Sequence, residues 1–406
     1  MTDENNGKMP PRPGTEKKTG EKNTKKSVAV LLVLVLLIVG ATFLIANSDG
    51  FFSEQETTTK INVVGNSGDE NNSGLQNQAS AEKGFPVSFG NGAVENAVSV
   101  NSCVFVLTHD ALTCVSATGK IIFTYTLGLS DPSIKFSENF AAVYDKQGSS
   151  YYLFNTKGLI YKGQSEEDGK ILTACVANDG KTAISSRRTG SASAFSVYDK
   201  NGSNLFAWAC AKEHIIAMDV DKSGRNLVCA AIGSASGEIY TKCYVFDLDN
   251  KEQTAEYTFK SSSPIECVIE SSKVHLVCTD KNIMFDYTKE EITPVTVSFA
   301  STVIKRACDE SGNTAVLTRK VDSFGDNEIN CYDSNNKLVY SVAVSDKVCD
   351  LKIDGLKVYV LTTSQLLQIN SKGKITEKTD VESASDGLVV DSRRYYRYYL
   401  DVLYLI

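Results

Sequence analysis

Three histidines, His109, His214 and His275, are the residues to test first for catalysis or metal binding. Each stands alone, with no H-x-x-x-H or C-x-x-C spacing to supply the second ligand that zinc or a related ion needs. The G-x-S-x-G elbow is missing, as is a glycine-rich cradle leading from a strand into a helix. The sequence therefore assigns no catalytic, metal or cofactor residue. Two groups of charged residues remain. Lys135, Asp219, Glu266, Lys305, Arg306, Asp350 and Lys352 are scattered along apolar segments, and only a converging architecture would bring them together. Arg187, Arg188, Arg319 and Lys320, with Asp322 and Glu238, lie in the polar stretches RRTGSAS (187–193), GSASGE (233–238) and RKVDSFGDNE (319–328), which suit partner binding.

What carries these residues is a recurring turn. An apolar run leads into Asn, Asp or Ser, then two residues, then usually Gly or Asn, at 115–119, 154–158, 198–202, 246–250, 285–289, 332–336 and 369–373. The Asx or Ser side chain caps its own turn, and Gly or Asn accepts the left-handed conformation that closes a hairpin. Successive turns end 39, 44, 48, 39, 47 and 37 residues apart, a period near 42. Residues 106–121 also align without a gap on 360–375, with seven of sixteen identical at an offset of 254, which is six periods. Further hairpin turns at 178–181, 221–224, 309–312 and 354–355 give each unit four short strands.

Four strands per period of this length is the pattern of a β-propeller. Seven units end near Val381, and 387–391, 395–400 and 401–406 imitate the first three strands of another. Residues 85–89 would supply its fourth strand and close the ring, leaving no open sheet edge. The expected fold class is all-β: an eight-bladed β-propeller over 85–406 preceded by one transmembrane helix, with seven blades and an appended C-terminal segment as the alternative.

Upstream, residues 28–46 form an uncharged apolar run of nineteen, about 28 Å as a helix and enough to cross a membrane. The flanks orient it. Residues 1–26 carry seven Lys or Arg against four acids, which predicts a basic cytoplasmic tail, a helix over 27–46 and an extracellular remainder. The run is too long for a cleaved signal peptide and lacks an A-x-A-like site. Residues 47–84, rich in Asn, Ser and Gly, read as a flexible linker with a reach of roughly 35 Å. The whole chain carries −7, so removing the +3 tail leaves −10 outside, which sets nucleic-acid binding aside.

This combination, with a propeller opening at Phe85-Pro86-Val87-Ser88, resembles a family of single-pass membrane-anchored surface proteins of anaerobic Gram-positive bacteria. The resemblance covers the whole chain and implies a fold and a location, but no activity. The turn at 116–120 is similar to that of quinoprotein-type propeller repeats, which dock each turn with a tryptophan. This chain has only Trp208, so no quinone, or other cofactor, is expected.

Eleven cysteines, an odd number, sit within strand-like runs and read mainly as free buried thiols. The pairs Cys229/Cys243 and Cys267/Cys278, placed almost symmetrically about hairpin turns, leave cross-strand bridges as an open alternative. In a propeller the charged residues of the inner strands meet at the axis, where mixed signs favour mutual pairing over a shared cation. The basic stretches all join second to third strands and so share one face. The tyrosines of 394–399 alternate as packing for the closing blade. The expected function is a binding or scaffolding module at the cell envelope, with a protein or cell-wall polymer as partner. The alternative is a glycan-directed envelope hydrolase using acids at the axis.

Overall fold

Alternation in the sequence becomes burial in a stack of sheets. The computed structural model describes residues 84–406 apart from 91, 166–168, 290, 300, 320–326, 383 and 393. The basic tail, the expected membrane helix and nearly all of the linker lie outside the described residues. Among the described residues there is no helix, and the strands form eight four-stranded antiparallel sheets. Blades 1 to 7 occupy 94–126, 132–164, 171–210, 214–260, 264–298, 302–344 and 348–380, each with its strands in chain order from inner to outer. Blade 8 takes Gly387–Asp391, Arg394–Tyr399 and Val402–Leu405 from the C-terminal end and its outer strand, Val87–Ser88, from the start of the domain. Eight blades are therefore present, closed by the predicted pairing, and the seven-bladed alternative falls.

Second strands are covered on both faces by neighbouring blades and read as continuous apolar runs; Val104, Phe105, Val106 and Leu107 are all 1% exposed or less. Outer strands meet water and alternate, as in Ile121–Thr126. The turns follow the sequence reading: Gly224 donates its N–H to Asp221 O at 2.9 Å while the Asp221 carboxylate accepts from Arg225 N at 2.9 Å and Asn226 Nδ2 at 2.7 Å. Trp208, half-buried, packs against the core, with its ring centroid 4.8 Å from that of Tyr244 in a tilted contact and 5.1 Å from that of Phe246 edge-on. At the closure Tyr396 is fully buried against Phe85, with ring centroids 5.3 Å apart, and Tyr395 meets Tyr359 on the other side.

All eleven cysteines are free, eight of them buried. Cys229 faces Tyr244 and Cys243 faces Ala230, a one-residue offset that sends the two thiols to opposite faces of the blade and into different cores. Burial also pushes the Cys229 and Cys243 thiols up from their ordinary range. Titration with a chromogenic disulfide at pH 8 is expected to label at most the half-buried Cys103, Cys308 and Cys349 in the native protein and all eleven in denaturant without reductant. Fewer than eleven in denaturant would mean that a bridge had formed.

Candidate functional site

In a four-stranded antiparallel blade whose strands run in chain order, the turn between second and third strands and the connection to the next blade emerge at the same end. All eight blades therefore present these segments on one face. Arg187 and Arg188 end the second strand of blade 3 (Thr182–Arg188), Arg319 ends that of blade 6 (Thr314–Arg319), and Glu238 starts the third strand of blade 4 (Glu238–Asp247); all four are exposed on this face. Lys320 and Asp322 lie outside the described residues. Two of the three polar stretches are not open loops but strand ends joined by tight turns. Strands continue to Arg188 and Ser191, and to Ala235 and Glu238, so each hairpin closes in two residues, with Gly190 and Gly237 at φ 84° and 83°. Blade 4 thereby carries ten-residue strands that project as a hairpin.

That hairpin is braced from below by a residue the sequence gave no reason to single out. Glu213, 5% exposed in the connection between blades 3 and 4, accepts hydrogen bonds from Tyr240 Oη at 2.7 Å, Cys210 Sγ at 3.0 Å and Tyr244 Oη at 3.3 Å. Burial works to raise its pKa, but the donors of Cys210 and Tyr240 and the Lys242 charge outweigh it and hold the carboxyl below its ordinary value. Ser193 Oγ donates to Glu213 O at 2.8 Å and accepts from Ile215 N at 3.0 Å, tying the third strand of blade 3 to the same connection.

The second feature missed in sequence is a repeated bulge. In blades 1, 3, 4, 5, 6 and 7 the inner strand carries one extra residue near its start, skipped by the pairing with the second strand. The skipped residues are Glu95, Leu172, Ile216, Ile265, Ile304 and Cys349. Inner strands are flanked by other blades, so exposure there means facing the axial opening. Ile265 is 51% and Ile304 37% exposed, Glu95 is exposed, and the other three are half-buried. Five of the six are apolar, and they follow one another from blade 3 to blade 7 around the mouth on the Arg187 face. Only a count of residues back from each hairpin turn would have found them, because an extra apolar residue within an apolar run leaves no other mark.

Deeper in the channel the expected charges do converge, on inner strands of blades 2, 4, 5, 6 and 7. Two of the carboxylates are committed to joining blades. Asp219 accepts from Ile269 N of the next inner strand at 2.9 Å, and Asp350 accepts from Leu388 N at 2.8 Å while lying 3.4 Å from Lys352 Nζ. Enclosure pushes the Asp219 carboxyl up to about 7, against the pull of the Ile269 amide and Lys135. Enclosure acts to lower Lys135, but Glu266 and Asp219 are among the groups that outweigh it and raise its pKa. Arg306 donates to the carbonyls of Cys278 and Thr279, reaching back to blade 5. Among the described residues no group of three or more His, Cys, Asp or Glu is placed to hold a metal ion. The three histidines stay apart: His109 and His214 are exposed, while His275 is buried on blade 5.

Residues 83–400 match the model of DUF5711, a family of unknown function, and the chain belongs to that family. No curated protein matches it. Among solved structures it is similar to BamB from Moraxella catarrhalis, at 12% identity and a TM-score of 0.51 over 79% of this chain and 97% of that one. It is similar to Sqt1 from Saccharomyces cerevisiae, at 11% identity and a TM-score of 0.57 over 79% and 98%. The C-terminal WD40 domain of Sif2 aligns at 11% identity and a TM-score of 0.54 over 80% and 100%. At such identities the shared property is the propeller fold.

Proposed function

We propose that this member of the DUF5711 family is a binding or scaffolding module held at the cell envelope. In this reading the helix over 27–46 anchors it, the basic tail 1–26 stays in the cytoplasm, the linker 47–84 sets the propeller off the membrane, and a protein or cell-wall polymer docks outside. The unpaired thiols would suit an oxygen-poor habitat. The observation that carries the binding role is the face bearing Arg187, Arg188, Arg319 and Glu238, where apolar bulge residues of blades 3 to 7 line part of the axial mouth and a braced hairpin projects beside it. Rigid scaffolds present recognition residues in this way. A glycan hydrolase would need a pair of carboxylates free to face one bond. Asp219 and Asp350 are instead tied to backbone amides, which favours binding over hydrolysis.

Photo-crosslinking in cells tests this with the full chain. A photoreactive residue at Thr189 or Ser236 is expected to trap a partner recovered from alkali-washed membranes, whereas one at Ser102 or Ser271, in turns of the opposite face, traps none. Equal crosslinking from both faces would defeat the assignment of the face, and recovery in the soluble fraction would defeat the anchor.

A further inference from the structure

The eight blades are not joined equally well. In each blade the inner-strand residue paired with the middle of the second strand turns back toward the preceding blade. In seven blades it is apolar, as with Ala97, Ile134, Met218 and Leu388, and it is buried in a cluster that spans two blades. In blade 6 the position belongs to Arg306, which pairs with Val316 and donates to the carbonyls of Cys278 and Thr279.

Blade 5 meets it with two polar side chains. His275 takes the place that Phe105 and Tyr359 hold in blades 1 and 7, and Asn282, opposite Val277, takes that of Leu112 and Leu366. Those four apolar residues pack onto the following blade. His275 and Asn282 are each 3% exposed, and none of their side-chain nitrogen or oxygen atoms has a hydrogen-bond partner. Buried polar groups in this state weaken a junction where apolar ones would cement it.

The core is interrupted as a result. Seven junctions hold a cluster of buried apolar residues drawn from both blades, and the one between blades 5 and 6 holds none among the described residues. Neighbouring inner strands run close together at those seven and draw apart between Pro264–Glu270 and Thr302–Cys308. Apart from Arg306, what crosses is peripheral: Lys273 Nζ donates to Asn335 Oδ1 at 2.8 Å, Asn336 Nδ2 to Val295 O at 2.9 Å, and the Phe299 ring lies 5.9 Å from that of Tyr332. The junction where the two ends of the domain meet is not the weak one, because Val87, Tyr396 and Leu403 fasten it to blade 1.

We propose that the ring opens between blades 5 and 6, each blade moving as an intact sheet, and that this opening is a lateral entrance to the axial channel. Glu266 and Arg306, on the two inner strands that part, would flank it.

Thiol labelling of the folded full-length protein tests this, because buried cysteines already report on the neighbouring junctions. Cys331 of blade 6 lies in the cluster shared with blade 7 and Cys278 of blade 5 in that shared with blade 4, both 0% exposed. A reporter introduced as Val316→Cys, at a 0% exposed site paired with Arg306, faces the opening. At pH 8 without denaturant, a maleimide followed by peptide mass mapping is expected to modify the reporter at least ten-fold faster than Cys331 or Cys278. Adding His275→Phe/Asn282→Leu, which copies the side chains of blade 1, should slow the reporter at least ten-fold and leave Cys331 unchanged. Val277→Cys, 1% exposed on the facing wall, repeats the measurement if the first reporter does not fold. A reporter less than ten-fold faster than either native thiol overturns the inference, since exposure would then come from unfolding of a whole blade. So does a reporter rate indifferent to the His275 and Asn282 substitutions.

Discussion

Substituting Phe85 and Val87 together by Asp is expected to open the ring and lower the thermal midpoint by roughly 10 °C. Val87 is 7% exposed and belongs to the core that contains Leu403 and Tyr396, while Phe85 lies against the Tyr396 ring. Losing an aromatic and a buried aliphatic side chain costs on the order of 4–6 kcal/mol, and placing carboxylates there adds an unpaired-charge penalty. The outer strand pairs through only two register positions, Val87 with Leu403 and Ser88 with Val402, with one further backbone bond from Phe89 N to Asp401 O at 2.8 Å. Blade 1 depends on the same segment: a Cβ at Gly119 would lie 2.9 Å from Gly84 C and Phe85 N, so backbone is packed directly on backbone. Ser88→Ala, which removes an exposed hydrogen bond to Asp401, is the control and should leave the midpoint nearly unchanged. Once detached, Val402–Leu405 becomes a free edge, and concentration-dependent association should accompany the lower midpoint. A shift in the double variant of less than about 2 °C would show that closure contributes under 1 kcal/mol.

The second large effect is acid sensitivity at His275. The ring is 3% exposed, neither nitrogen has a hydrogen-bond partner, and a Cβ at Gly312 of the next blade would strike it. Burial, with a smaller contribution from Lys273, lowers its pKa from 6.5 to about 4. The folded protein thus keeps His275 neutral where the unfolded chain would protonate it. Its stability contribution is complete above pH 6.5 and is lost as the pH falls to 4, amounting to about 3 kcal/mol. Asp219 acts in the opposite direction: its folded pKa lies above the carboxylate value, so acidification from pH 7 relieves strain at the axis and stabilises. The two are separated by His275→Phe. Phe105 and Tyr359 fill the equivalent third position of the second strand in blades 1 and 7, so the repeat accepts an aromatic ring there. Unfolding free energies of wild type and His275→Phe should diverge progressively between pH 6.5 and 4 in favour of the variant. A difference independent of pH would mean that His275 does not change its proton count on unfolding.

Much of this architecture is legible in the sequence because its signals are local. An Asx residue, two positions and a Gly report a hairpin wherever they recur, and the last 25 residues imitate the first three strands of a blade, with 85–89 as the candidate fourth and seven blades plus an appended segment as the alternative. What escapes is parity. Whether two cysteines face each other, or whether a strand holds one residue too many, depends on counting from a turn whose closing pair is not visible in sequence. The Cys229/Cys243 symmetry is wrong by one residue, and the bulges at Leu172, Ile216, Ile265 and Ile304 pass unnoticed for the same reason. The rim stretches mislead differently: Ser, Gly and Arg look like loop, yet once paired they prolong strands beyond the blade. Charges at the axis are foreseen as a set, but which carboxylate is tied to which amide is a matter of neighbouring blades, and no single segment contains it.

A bulge residue is connected to the sheet covalently but is exempt from its pairing. Ile265 and Ile304 contribute to no cross-strand register, and much of each side chain already lies in water, so replacing them asks little of the fold. Exchange at Ile265 and Ile304 therefore costs the fold little, whereas the half-buried Leu172, Ile216 and Cys349, the last packed against the core between blades 7 and 8, stay tied to folding. Two chains with the same propeller and different letters at these two places would be equally well folded and would present different surfaces at the axial mouth.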